Sequence, residues 1–153
     1  MGYKNKKLQL KQVDEQLIKI RDSGLEVPHK GWINTIRKAI SMSSAQLGNK
    51  LGISHQGAFN LEKREALGTI TINKLQEVGR GFKLKLVYGF VPINSSLQEM
   101  VEQRARELAK EIVMNTSQHM SLEDQKITNE KLKESVKERT EEIMRTMPKY
   151  LWD

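Results

Sequence analysis

The residues best suited to do chemistry lie in one segment, Ser43-Ser44-Ala45-Gln46-Leu47-Gly48-Asn49-Lys50-Leu51-Gly52-Ile53-Ser54-His55-Gln56-Gly57-Ala58-Phe59-Asn60-Leu61-Glu62. Their chemistry is recognition. Gln and Asn amides can pair bidentately with adenine. A serine hydroxyl and a helix N-terminus suit a phosphate. The spacing reads as two short helices and a turn. Gly48 is small enough for two helices to cross closely, and Gly52 tolerates the positive φ of a tight turn. Ile53 and Leu61 pin the second helix to the first. Ser54, His55, Gln56 and Asn60 then stand on its outer face near its start. A helix presented in this way can enter the major groove with its first residues on base edges.

Further helices must hold that pair. Trp32, Ile33, Ile36 and Ile40 form an apolar face upstream, with Trp32 expected in the core. Ser43 or Ser44 can cap the helix carrying Leu47 and Leu51, and Ser54 can cap the one carrying Ala58 and Leu61. Thr69-Ile70-Thr71 leads into a last helix with Ile72, Leu75 and Val78.

Charge agrees with a polyanionic partner. The 153 residues carry a formal net charge of +7. By segment, residues 1–30 hold +3, 31–92 hold +6 and 93–153 hold −2. A basic middle beside a near-neutral tail points to nucleic acid. Cysteine is absent, which excludes disulfides and thiolate metal sites. The basic start, Met1 to Lys7, is followed by no apolar run of the kind a secretory signal needs. No stretch is apolar enough to span a bilayer. A cytoplasmic protein without membrane contact is the expectation.

The flanks read differently. Over 8–23, Leu10, Val13, Leu17 and Ile20 share one helix face, suited to core contact or a dimer seam; Gly24 and Pro28 mark a linker. In 83–91, Leu84, Leu86, Tyr88 and Phe90 alternate with Lys83, Lys85, Val87 and Gly89, which predicts a strand ended by Pro92. A lone strand needs a partner. Either the same strand of a second copy pairs with it about a twofold axis, or a short intramolecular ribbon forms. Residues 95–118 and 121–147 read as longer helices, with Leu97, Val101, Leu108 and Ile112 on one and Leu132, Val136, Ile143 and Met147 on the other. Ser121 followed by Asp124 suggests a cap for the second.

Catalysis finds no support. His29, His55 and His119 are scattered, no His pair joins a carboxylate at metal-ligand spacing, and there is no Gly-rich phosphate loop. Glu141-Glu142 are adjacent in a charged helix. No catalytic residue, metal or cofactor is expected. Trp152, after Pro148, must tuck into the fold or dock on a partner.

The pattern Gln46-Leu47-Gly48, Leu51-Gly52-Ile53-Ser54, Gln56 and Leu61-Glu62-Lys63 resembles the lambda-repressor-like, or XRE-type, helix-turn-helix. The resemblance implies a recognition helix beginning near Ser54 and dimeric binding to palindromic double-stranded operator DNA. It implies base contacts from His55, Gln56 and Asn60, and backbone contacts from Ser44, Ser54, Lys63 and Arg64. Phe59 departs from the family, which usually has a polar residue there. Its ring could touch a thymine methyl, lie on the sugar backbone, or fold back onto the domain. Gly57 departs too, at roughly 1 kcal/mol against alanine within a helix.

A second resemblance runs along nearly the whole chain. Trp32 to Ala39, Leu61-Glu62-Lys63, Gly68 to Thr71, Leu86 to Pro92, Arg104 to Ala109, His119 to Gln125 and Leu151-Trp152-Asp153 are similar to the family called mobile mystery protein A. Members are typically encoded beside mobile mystery protein B, a Fic-domain protein of a class that transfers AMP to protein hydroxyls. The resemblance implies a toxin–antitoxin module, with this chain as antitoxin and autoregulator. An inhibitory Ser/Thr-x-x-x-Glu-Gly/Asn motif is incomplete: Ser95 and Glu99 have the spacing, but Met100 follows, and the segment reads as a helix start. Docking through the C-terminal helices is the other mode, with His119, Met120, Leu122, Glu123, Asp124, Gln125 and Trp152 as candidate contacts. The same His119–Gln125 segment also reads as a plain interhelical turn.

The expectation is a mainly α chain. An N-terminal helix and linker occupy 1–30, a lambda-repressor-like helix-turn-helix domain 31–82, a short strand able to form a dimer ribbon 83–92, and a partner-binding helical region 93–153. Function divides between an antitoxin that binds both operator DNA and a Fic-domain protein, and an XRE-type repressor acting alone.

Overall fold

The computed structural model describes residues 2–122 and 128–153. Its helices are α1 (Tyr3–Asp22), α2 (Trp32–Ala39), α3 (Ser44–Leu51), α4 (His55–Leu67), α5 (Ile72–Gly81), α6 (Leu97–Leu122) and α7 (Asn129–Thr146), followed by a 3-10 turn at Lys149–Trp152. The chain forms two compact units, one of residues 24–89 and one joining 1–23 to 90–153. None of the helices is long and apolar enough, among the described residues, to cross a membrane.

The first unit contains α2 to α5. Its buried core is Ile33, Leu47, Ala58, Leu61 and Val78, with Met42, Leu51, Ile53, Ile70, Leu75 and Phe82 packed around it. Three of its helices start on local caps. The Ser43 hydroxyl accepts from Gln46 N while the Gln46 amide oxygen accepts from Ser43 N, a complete capping box. Ser54 Oγ accepts from Gly57 N at 2.9 Å, and Thr71 Oγ1 accepts from Lys74 N at 3.2 Å. α2 follows Gly31 and has no local side-chain cap. Its first amides, Trp32 N and Ile33 N, each donate to a Glu65 carboxylate oxygen at 2.8 Å. Three apolar residues expected inside are only partly covered: Trp32, Ile40 and Ile72 keep 37%, 55% and 47% of their surface exposed. Trp32 sits at the lip of a groove of about 290 Å³ shared with Leu25, Ile36, Leu75, Phe82 and Val87.

The strand expected at 83–92 does not form within the single chain. No β-strand occurs among the described residues, and 84–92 is irregular. Leu84 N instead donates to Gly79 O at 2.8 Å, closing the end of α5. The physical reason is that a strand exists through its ladder. Alternating side chains prepare one, but no second segment among the described residues supplies the other half. Leu84, Val87, Tyr88 and Phe90 are exposed.

The second unit is built from α1, α6, α7 and the 3-10 turn. Val101, Ala105 and Ala109 form one buried stripe on α6, joined by Ile143 and Leu151. Leu10 of α1 packs against this cluster, whereas Val13 of the same expected stripe is exposed. α6 begins under Asp14, a buried carboxylate that accepts from Leu97 N at 2.6 Å and Gln98 N at 3.0 Å. Ser96 Oγ accepts from Glu99 N, and Ser95 pairs with Glu99, so Ser95–Glu99 is a helix start. Ser121 lies within α6; the cap of α7 is Thr128, whose hydroxyl accepts from Lys131 N. Arg104 donates to Leu151 O at 2.7 Å and to Asp153 O at 2.8 Å, holding the final turn. Leu151 is buried there, whereas Trp152 is exposed.

Candidate nucleic-acid interface

α3 and α4 join through a turn whose geometry follows from three residues. Gly52 has φ +68°, a left-handed conformation that costs an L side chain roughly 1–2 kcal/mol. Ile53 N then donates to Gly48 O at 2.9 Å, closing the end of α3. At Gly48 the helices nearly touch: a Cβ there would lie 2.8 Å from the Ile53 carbonyl oxygen and 3.0 Å from that of Ser54. Both are backbone atoms, so only glycine lets α3 meet the start of α4 this closely.

α4 is then fixed from its inner face. Ala58 and Leu61 enter the core, and beside them Glu62 is buried. Arg37 Nε donates to Glu62 Oε1, and Arg37 Nη2 donates to Oε2 at 3.2 Å. Asn34 Nδ2 donates to Oε2 at 2.7 Å, while Arg37 Nη1 reaches Met42 O at 2.8 Å. Burial alone would raise the Glu62 pKa; the hydrogen bonds from Arg37 and Asn34 and the charges of Arg37 and Lys38 outweigh it and hold the carboxyl below its ordinary value. The hydrogen bond to Glu62 raises the Arg37 pKa against the opposing effect of burial. Glu65, one turn on, holds the start of α2. Two acidic residues of α4 are thus consumed internally.

The outer face is therefore polar and basic. His55, Gln56, Phe59, Asn60, Lys63 and Arg64 are all exposed on α4. Gln56 and Asn60 form a pair across one turn, Gln56 Nε2 donating to Asn60 Oδ1 at 3.2 Å. Phe59 keeps half its surface exposed. Ser44 is the half-buried first residue of α3, and the hydroxyl of Ser54 already serves as the α4 cap. The unit 24–89 holds ten Lys/Arg and four Asp/Glu. Two of those four, Glu62 and Glu65, point inward, and Glu77 pairs with Lys74 at 3.1 Å. Arg37 is consumed with Glu62 and Lys74 with Glu77, so the outward charge of the unit stays clearly positive.

The residues predicted to contact a protein partner are described only in part. His119, Met120 and Leu122 fall in the last turn of α6, and Glu123, Asp124 and Gln125 lie outside the described residues. Trp152 is exposed beside Arg104, 15 positions before His119 on the same helix. At 1.5 Å per residue that is ~22 Å of helix.

Sequence reasoning missed Arg37, Asn34, Glu62, Glu65, Asp14 and Arg104 as positioning residues. Their partners lie 25 or more positions away, beyond any local signal. Among the described residues no group of three His, Cys, Asp or Glu could hold a metal ion. No family model, curated protein or solved structure matches the chain.

Proposed function

We propose that this protein is a DNA-binding regulator whose residues 31–82 act as a lambda-repressor-like helix-turn-helix, with α4 as recognition helix in the major groove. One observation carries the reading: the Gly48–Gly52 crossing presents a helix whose acidic residues face inward and whose Gln56, Asn60, Lys63 and Arg64 face outward. In this reading His55, Gln56 and Asn60 meet base edges, while Ser44, Ser54, Lys63 and Arg64 meet the sugar-phosphate backbone. A second copy of the chain completes the site on a palindrome, and the exposed apolar residues 84–90 favour it as the surface that pairs.

The test is binding to duplexes from the chain's own promoter across a salt series. Contacts to about five phosphates give a log–log slope near −4.5, at about −0.9 each. A flat response overturns the electrostatic half of the reading, and no retention of any duplex overturns all of it.

A second reading adds an antitoxin role towards a Fic-domain protein, as the resemblance to mobile mystery protein A implies. The observation favouring it is the separate unit formed by 1–23 and 90–153, with its own core, which a small operator-binding domain does not need. Co-expression with the neighbouring gene product, followed by size-exclusion chromatography with light scattering, tests it. A hetero-complex supports this reading; a homodimer that ignores the neighbour and shifts promoter DNA leaves the repressor alone.

A further inference from the structure

Phe59 is an exposed aromatic residue in the first half of α4, where its neighbours are polar; the other large exposed apolar residue of the helix, Leu67, is its last. Half of its surface is exposed, on the helix that otherwise presents His55, Gln56, Asn60, Lys63 and Arg64. An aromatic ring gains nothing from water there, and gains only where an apolar group meets it. At 3.6 residues per turn, Gln56 projects ~60° from Phe59 around the helix axis and Asn60 ~100° on the same side. The amide pair and the ring therefore stand side by side. Their Cβ atoms at i and i+3 are roughly 5–6 Å apart. The floor of a major groove carries one apolar feature, the 5-methyl group of thymine, and its paired adenine offers the N6 donor and N7 acceptor that Asn and Gln match. The Gln56–Asn60 hydrogen bond at 3.2 Å holds both amides along one strip beside the ring.

We propose that Phe59 is a specificity-determining residue that packs against the 5-methyl group of a thymine, so that α4 selects A·T-containing steps. The proposal rests on the DNA-binding reading above and deepens it. Uracil is the direct probe, because it keeps every hydrogen-bonding edge of thymine and lacks only the methyl group.

The experiment uses the full chain. A randomised duplex pool is enriched on the wild-type protein, and the winning duplex is resynthesised with each thymine in turn replaced by uracil. At one thymine per recognition site, uracil weakens wild-type binding about fourfold, the worth of one buried methyl group. At that position Phe59→Ala binds the two duplexes alike, and Phe59→Leu keeps part of the discrimination. The ring is half exposed, so circular dichroism melting of both variants stays near wild type. Two results overturn the inference while leaving DNA binding intact: wild-type indifference to uracil at every thymine, or equal uracil sensitivity in Phe59→Ala. Failure to enrich any duplex overturns the DNA-binding reading, and the inference with it.

Discussion

Arg37 of α2 grips the carboxylate of Glu62 on α4 with two guanidinium nitrogens, in a position where both side chains are almost wholly buried. The pair ties the inner face of the candidate recognition helix to the helix before it. Orientation is set from the buried face, opposite Gln56, Asn60 and Lys63.

Breaking one partner strands the other. Glu62→Ala leaves a buried guanidinium uncompensated and costs roughly 3–5 kcal/mol of stability, read from urea unfolding. The pH dependence follows from the same pair. Glu62 titrates below its ordinary value when folded, so its contribution is complete above the unfolded glutamate pKa near 4.5 and is lost as pH falls through the lower, folded value. Arg37, raised further, stays charged throughout. Stability should therefore fall with a steeper slope below pH ~4.5 in the wild type than in Glu62→Gln. Parallel slopes would remove the pair from the account.

The helix crossing makes a sharper claim about Gly48. A methyl group there would press on the Ile53 and Ser54 carbonyl oxygens, and backbone cannot swing aside as a side chain can. Gly48→Ala should cost roughly 1–3 kcal/mol by overpacking. The same change should weaken duplex binding beyond its effect on stability, since it tilts α4. A Gly48→Ala protein with wild-type melting would mean the helices do not meet as described.

Gln56 and Asn60 should act as a coupled pair. Alanine at either costs roughly 1–3 kcal/mol of duplex affinity if both read bases. Because their side chains are hydrogen-bonded, the double variant should lose less than the sum. Fluorescence anisotropy on the four proteins completes the cycle. Strict additivity would show that the two amides act independently, and unchanged affinity would take both out of the interface.

Asp14 is the corresponding device in the other unit. It accepts from Leu97 N and Gln98 N across more than 80 positions of sequence and supplies a negative charge at the start of α6. Asp14→Ala leaves those amides without their acceptor, at roughly 1–2 kcal/mol. Hydrogen exchange at Leu97 and Gln98 should accelerate while the amides of Leu47 and Leu61 keep their protection. Equal exchange in both proteins would show that α6 caps itself.

The local logic of α3 and α4 was legible in the chain. Ser43 with Gln46, Ser54 with Gly57, and Gly52 at a left-handed turn are relationships between residues at most three positions apart. The apolar period pointed to Ile33, Leu47, Ala58, Leu61 and Val78, which are buried, and also to Trp32, Ile40 and Ile72, which are exposed. The Gln and Asn on the outer face follow from that same period.

Where the partner was distant, the pattern misled or was silent. Residues 83–91 alternate as a strand should, but alternation is a property of one segment and a ladder belongs to two. Ser121 looked like a helix cap because a serine followed by an acid is a local sign, yet α6 runs through it and Thr128 takes that role. Nothing in the order of residues announced that Glu62 and Glu65 would turn inward to α2, that Asp14 would cap α6, or that α1 would join the C-terminal helices. The amino-acid sequence by itself determined the helices of 32–81, the caps of α3 and α4 and the chemistry of the outer face of α4, because those depend on hydrogen bonds and side-chain periods within a turn or two. Only the tertiary structure decided which charges are buried and which helices share a core, because desolvation and packing depend on neighbours that the order of residues does not name.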